Sequence, residues 1–130
     1  MGLIIVEAEL SWRRKVRARM VVDTGATHSV LPEELARRLG VSKSPRRVRV
    51  TLADGRKKAM HFGTVLVRLA GREAGDTVLI GPRGTDPLLG VEALEALGLS
   101  VDPRSGKLKK TRSHGALLTG LSRQLLRNVA

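Results

Sequence analysis

Val21-Val22-Asp23-Thr24-Gly25-Ala26-Thr27-His28-Ser29-Val30-Leu31 is the stretch that decides how the chain is read. An apolar pair runs into a carboxylate, a hydroxyl and a glycine follow at once, and apolar residues then resume. Asp is a poor strand residue and Gly a worse one. Together at the end of an apolar strand they suit a carboxylate presented on a tight loop. Gly25 lets the backbone turn without a Cβ clash, so that neighbouring N–H groups can point at the Asp23 oxygens and favour the ionised form. Thr24 offers a hydroxyl that can tie the loop to a neighbour. Taken alone, Asp23-Thr24-Gly25 reads better as a simple turn that ends a strand, and the rest of the sequence decides against that.

A second pattern lies downstream. Thr77-Val78-Leu79-Ile80-Gly81-Pro82 is followed by Asp86-Pro87-Leu88-Leu89-Gly90 and then by Val91-Glu92-Ala93-Leu94-Glu95. Val22 to Ala26 with Ser29-Val30-Leu31 resembles the active-site segment of the retropepsin-like aspartic proteases, the single-lobe, dimeric relatives of pepsin. The Leu88-Leu89-Gly90 segment resembles the apolar-apolar-Gly motif, with its following helix, that packs beneath the active-site loop in that family. The matches span about residues 3 to 108. The resemblance implies a mainly β fold, a closed acid-protease-like β-barrel lobe with one or two short helices, active as a two-fold dimer. Residues 1–110 are the expected protease-like domain, and residues 111–130 a basic C-terminal tail.

Composition narrows the alternatives. A chain of 130 residues is long enough for one domain with its own core. Without cysteine there is no disulfide framework, no thiol nucleophile and no Cys-ligated metal, which fits a reducing, cytoplasmic setting. Glu7 comes too early for a secretory signal, no apolar run approaches a membrane span, and Val6 stands where a myristoylation motif needs Ser or Thr. The formal charge of +12 raises nucleic acid, anionic membrane surface or acidic protein as partners. With Trp12 and Phe62 as the only aromatics, stacking recognition of single strands is disfavoured, and non-specific polyanion affinity is the expectation that remains.

Along the chain, Gly2–Leu10 and Lys15–Met20 read as strands joined at Ser11–Arg14, a hairpin that delivers Asp23. Pro32–Gly40 reads as a short helix with Pro and two acids in its first turn, two Arg in its last, and a closing Gly. Arg46–Leu52 alternates as a strand, Ala53-Asp54-Gly55-Arg56 is a hairpin turn, Lys57–Phe62 returns, and Gly63–Gly71 is a further strand. The hairpin at 53–56 resembles, by position, the flap that closes over substrate in the family. Thr77–Gly81 is an apolar strand, and Val91–Leu97 a helix with Val91, Leu94 and Leu97 on one face. Leu99–Asp102 and Lys107-Leu108 are short strands joined by a turn. Seven basic and no acidic residues follow Asp102. Apolar residues at helical spacing over 116–129 fit an amphipathic tail helix that docks on the body or helps to dimerise, a tail that stays disordered, or, least favoured, a segment lying on an anionic membrane.

The chemistry that the resemblance implies needs two carboxylates. One must deprotonate a water while the other hydrogen-bonds the scissile carbonyl, and two adjacent acids can divide these roles by sharing a proton. The sequence has one Asp-Thr-Gly and no Asp-Ser-Gly, so the second carboxylate is expected from another copy across a two-fold axis at Asp23. By resemblance the catalytic residues are Asp23, Thr24 and Gly25, with Thr24 bonding reciprocally across the axis. The substrate-binding residues are Ala26, Thr27, His28, Leu52, Ala53, Asp54, Gly55 and Leu88, and the substrate is a peptide or unfolded protein. Leu89 and Gly90 are expected to pack under the loop. Thr27 and His28 stand where the retroviral members tend to carry acids. His28 is either a tuning group or a polar surface residue. His61 and His114 are isolated, and no metal or other cofactor is expected. Ser29 has no evident His-Asp partnership, which argues against a serine hydrolase. Two readings compete with an endopeptidase: a peptide-binding or dimerisation module on the same fold, and a basic nucleic-acid-associated protein.

Overall fold

The computed structural model describes residues 3–52 and 54–111. The tail over 112–130, with its expected helix, and Ala53 lie outside the described residues. Period-two sequence at each end of the chain's first turn gives β1 (Ile4–Ser11) and β2 (Lys15–Val22), paired antiparallel from Ile4↔Val22 to Ser11↔Lys15. On β2 the basic residues Lys15, Arg17 and Arg19 face solvent and Met20 and Val22 face inward. The alternation thus fixes which way Asp23 leaves the strand.

β3 (Ser29–Pro32) leads directly into α1 (Glu33–Leu39). The helix has the ends its sequence announces: Pro32 before it, Glu33 and Glu34 in the first turn, Arg37 and Arg38 in the last, and Gly40 in the left-handed region at φ 76°. Its C-terminal carbonyls are covered by the turn between β1 and β2. The backbone N–H groups of Arg13 and Arg14 donate to the Leu39 carbonyl, and the Arg14 guanidinium donates to the carbonyls of Arg37 and Arg38. The apolar face of α1, Leu35, Ala36 and Leu39, closes one end of the core.

β4 (Val48–Thr51) pairs with β5 (Lys57–Leu69), and β5 with β6 (Arg72–Gly81), all antiparallel. Here the structure differs from the sequence reading in two ways. Lys57–Phe62 and Gly63–Gly71 are not separate strands but one strand of 13 residues. β6 starts at Arg72 rather than Thr77, after a two-residue turn at Ala70-Gly71 whose residues both have positive φ, 55° and 74°. That is the turn geometry favoured in two-residue hairpins, because its twist matches that of the strands.

β7 (Leu88–Leu89) slots between β2 and β3, parallel to the first and antiparallel to the second. β3 pairs parallel with β6. The strand order is β1-β2-β7-β3-β6-β5-β4, and β1 also pairs with β5. The circuit therefore closes into a barrel lobe, with β4 outside it as the free arm of the β4–β5 hairpin. α2 (Val91–Leu97) packs Ala93, Leu94 and Leu97 against the barrel, and β8 (Leu99–Val101) with β9 (Leu108–Lys110) forms a separate small hairpin. Leu10, Met20, Leu31, Leu39, Val65, Val67, Val78, Leu89, Leu94 and Leu97 fill the single core. Among the described residues no helix is long and apolar enough to cross a membrane.

Candidate active site

Backbone of β2, of the 87–89 segment and of the loop that follows β2 converges around Asp23. As β2 ends, the Val21 N–H donates to the Pro87 carbonyl and the Asp23 N–H to the Leu89 carbonyl, at 3.0 Å each. The chain then turns back on itself. The Gly25 N–H donates to Asp23 Oδ1 at 2.9 Å, and the Ala26 N–H to the Asp23 carbonyl at 3.2 Å. One carboxylate oxygen is thus held and oriented by a backbone donor. Among the described residues no Lys, Arg or His forms an ion pair with Asp23. Asp23 is half-buried, and Thr24 and Gly25 are exposed beside it.

The start of α2 braces this loop from below. The Val91 N–H donates to the Ala26 carbonyl at 2.8 Å, and the Glu92 N–H to the Thr27 carbonyl at 3.1 Å. These are donors that a helix start leaves unpaired, used here as struts. The approach is close enough to require glycine: a Cβ on Gly90 would sit 2.5 Å from the His28 carbonyl carbon and 2.6 Å from its oxygen. Gly90 has φ −88° and ψ 173°, so contact rather than backbone conformation imposes the choice. Leu89 is fully buried and Leu88 half-buried. Leu89 and Gly90 therefore pack under the loop as expected.

Behind the loop lies a group that sequence reasoning missed. The buried Ser29 hydroxyl donates to Asp76 Oδ2 at 2.6 Å and accepts from the Gly90 N–H at 3.1 Å. One hydroxyl thereby joins the active-site loop, β6 and the entry to α2. Ser29 does have a carboxylate partner, but the bond is direct, with no imidazole between the two, so it lacks the order of a nucleophilic triad. Burial pushes the Asp76 carboxyl above its ordinary range, and the nearby Glu92 carboxylate adds to the rise. The Ser29 hydrogen bond and His28 act in the opposite direction. The only sequence signal was an acid amid a polar run, and its partner is 47 residues away.

His28 Nδ1 lies 3.3 Å from Glu92 Oε2. The pair is close without the alignment of a hydrogen bond, and Nδ1 is buried with no hydrogen-bond partner. Among the described residues no three His, Asp or Glu side chains group as metal ligands do.

Of the residues singled out in the sequence, the structure brings Asp23, Thr24, Gly25, Ala26, Thr27, His28 and Leu88 to one end of the barrel, tied by the bonds above. Leu52, Asp54 and Gly55 form the tip of the β4–β5 hairpin, and their bonds stay within it. The Gly55 N–H donates to the Leu52 carbonyl at 2.9 Å, and Asp54 accepts from the Arg56 backbone N–H and guanidinium at 3.0 and 2.6 Å. Gly55 takes the φ of 87° that the turn needs.

No curated protein matches the chain. Among solved structures, EIAV protease complexed with the inhibitor HBY-793 superposes with a TM-score of 0.60 at 19% identity, covering 75% of this chain and 89% of that one. The retroviral protease-like domain of Ddi1 from Leishmania major superposes with a TM-score of 0.54 at 20% identity, covering 85% and 89%. At those identities the likeness is one of fold. Residues 13–96, well over half of the chain, match the family described as "gag-polyprotein putative aspartyl protease", and the chain belongs to that retropepsin-like family.

Proposed function

We propose that the chain is one half of a homodimeric aspartic endopeptidase, in which Asp23 of two copies meets across a two-fold axis. The observation that carries this reading is Asp23 itself. It is a partly exposed carboxylate on a braced loop, held by the Gly25 N–H, with no cation paired to it among the described residues. A single such group cannot run acid and base chemistry together. Two of them, too close for both to ionise, share one proton.

In the proposed cycle the ionised Asp23 takes a proton from a water lying between the pair. The water oxygen bonds to the scissile carbonyl carbon as the partner's Asp23 donates its proton to the carbonyl oxygen. The tetrahedral gem-diol then collapses: the C–N bond breaks and a proton passes to the departing amine. Thr24, exposed in the protomer, bonds reciprocally across the axis. An extended peptide lies along the loop backbone at Ala26 and Thr27 in the manner of an added strand. His28 and Leu88 border its side chains, and Leu52, Ala53, Asp54 and Gly55 cover it from the β4–β5 hairpin as a flap. Residues 1–110 act as the catalytic unit.

The test joins assembly to activity. The protein is expected to sediment as a dimer at micromolar concentration and to cleave an unstructured protein at acidic to neutral pH. Cleavage is expected to stop with pepstatin and in Asp23→Asn, which is isosteric but cannot serve as the base. Equal cleavage by Asp23→Asn and the parent, or cleavage by a strict monomer, refutes the proposal. A dimer without turnover in either protein would instead favour the peptide-binding module.

A further inference from the structure

A concavity of about 200 Å³ lies at the base of the β4–β5 hairpin, and Asp23 is not among its lining residues. Lys43 and Arg47 reach it from the segment between α1 and β4, Glu33 from the first turn of α1, and Lys58 and His61 from β5. The buried Met60 and Ile80 help to line it. Nothing in the proposed proteolytic chemistry uses it.

Its charge can be counted group by group. Lys43 Nζ is 2.7 Å from Glu33 Oε1, and the two cancel. Lys43 foremost, then Arg37 and Arg83, holds the Glu33 carboxyl below its usual range, so the acid is ionised. His61 Nδ1 lies 2.9 Å from the Ser44 carbonyl oxygen, which can only accept, so Nδ1 carries the hydrogen. His61 Nε2 then accepts from Arg47 Nε at 3.3 Å. Arg47 is thus oriented by the ring without losing its charge. The Lys58 ammonium has neither a hydrogen bond nor an ion pair among the described residues. Two positive charges, from Arg47 and Lys58, are left uncompensated around one cleft.

We propose that this cleft is an anion site that takes a single phosphate group, whether free phosphate or a phosphorylated side chain of a peptide. Phosphate carries a charge of about −1.5 to −2 at neutral pH and three or more acceptor oxygens, matching the two unpaired cations. A guanidinium already held by His61 presents its remaining N–H groups as a fork, the geometry that suits phosphate, and Lys58 adds a mobile point charge. The apolar part of the wall lowers the local dielectric and strengthens both contacts. Arg47 precedes β4 and Lys58 lies on β5, so a bound phosphate bridges the two arms of the hairpin at its root. The site stands independently of the proteolytic reading.

A protein of this net charge attracts any anion, so the test must separate a site from a cloud. The full chain is titrated with inorganic phosphate at pH 7.5 and constant ionic strength, following backbone amide shifts by NMR. Saturable shifts confined to the residues around the cleft, near Glu33 and residues 43–47, 58–61 and 80–82, are expected. Arg47→Gln and Lys58→Gln should each weaken binding by about tenfold, the worth of one charge-assisted hydrogen bond. Arg19→Gln and Lys110→Gln, which remove the same charge from exposed strand positions elsewhere, should leave it unchanged. A parallel titration uses a short phosphoserine peptide and its serine counterpart. Tighter binding of the phosphopeptide than of free phosphate makes a phosphorylated chain the ligand, and equal binding makes it free phosphate. Unsaturable shifts, or equal weakening by all four substitutions, overturns the site.

Discussion

Replacing Gly90 by Ala separates close backbone meshing from every other role of the Leu88-Leu89-Gly90 segment. Gly90 already has an extended conformation open to any residue, so Ala brings no backbone strain and should stabilise by ~0.4–1 kcal/mol through the unfolded chain. Against that gain, the new Cβ would stand 2.5, 2.6 and 2.9 Å from three backbone atoms of His28 and Ser29, where ordinary contact begins at 3.4 Å. Backbone cannot rotate away as a side chain tip can, so the loop and the helix start must part by up to ~0.9 Å. Three hydrogen bonds span that seam, at 3.1, 2.8 and 3.1 Å, and such a shift carries all three beyond bonding range. At ~1 kcal/mol each they sum to ~3 kcal/mol, a net loss of ~2–3 kcal/mol after the entropic gain. For a domain of this size that lowers Tm by about 10–20 °C. Urea unfolding of Gly90→Ala measures it, with Gly75→Ala as control, since nothing lies within 4 Å of a Cβ there. Gly75→Ala is expected to be neutral or slightly stabilising. If the two variants lie within ~0.5 kcal/mol of each other, the meshing argument is wrong.

Three further outcomes follow from single sites. Ala70 is the one described non-glycine residue with positive φ, in the β5–β6 turn, so Ala70→Asn should raise stability by about 0.5–1 kcal/mol, read as a higher urea midpoint at unchanged slope. The raised Asp76 carboxyl contributes stability that is full below the ordinary Asp range and is lost as pH rises through its native value. Asp76→Asn, which keeps an acceptor for Ser29, should therefore gain on the parent as pH rises from 3 to 8, whereas parallel stability curves would show that the acid does not titrate on folding. Thr24→Ala should leave protomer unfolding within ~0.5 kcal/mol, since Thr24 is exposed, but should shift sedimentation toward monomer at micromolar concentration. An unchanged dimer fraction would remove Thr24 from the interface.

Local chemistry wrote some elements plainly. Pro32, the paired acids, the paired arginines and Gly40 mark α1 to the residue, because caps and end charges act within one turn. The Asp23 loop and the Leu88–Gly90 segment were legible because their residue types conflict with strand propensity and so announce a purpose. Gly63 misled for the opposite reason. It looks like a break in a strand, yet β5 runs through it, and the glycine serves a crossing: Val41 lies where its Cβ would be, and the Ser44 N–H donates to the Phe62 carbonyl at 2.8 Å. Similarly, Arg72-Glu73-Ala74-Gly75-Asp76 carries almost no strand signal. It becomes strand by tertiary pairing with β5, from Leu69↔Arg72 onward. The Ser29–Asp76 bond and the basic cleft join residues from separate segments, so neither has a local signature.

The distribution of charge around Asp23 is the less obvious achievement of this sequence. Twenty-four Lys and Arg residues occupy a chain of 130, yet no described cation pairs with the acid that the loop presents. A guanidinium or ammonium beside Asp23 would hold it permanently ionised and oppose the sharing of one proton between two such groups. The Gly25 N–H orients the carboxylate as a cation would, but carries only a partial charge. Among the described basic residues, Lys15, Arg17 and Arg19 are turned outward on β2, Arg14 is set against the C-terminal end of α1, and Lys43, Arg47 and Lys58 gather at the root of the β4–β5 hairpin. A cation introduced at Thr27, on the exposed rim of the loop, tests this: Thr27→Lys should fold like the parent and narrow any proteolytic pH profile at its alkaline side, where the shared proton is lost. An unchanged profile would mean that the keeping away of cations has no bearing on the chemistry.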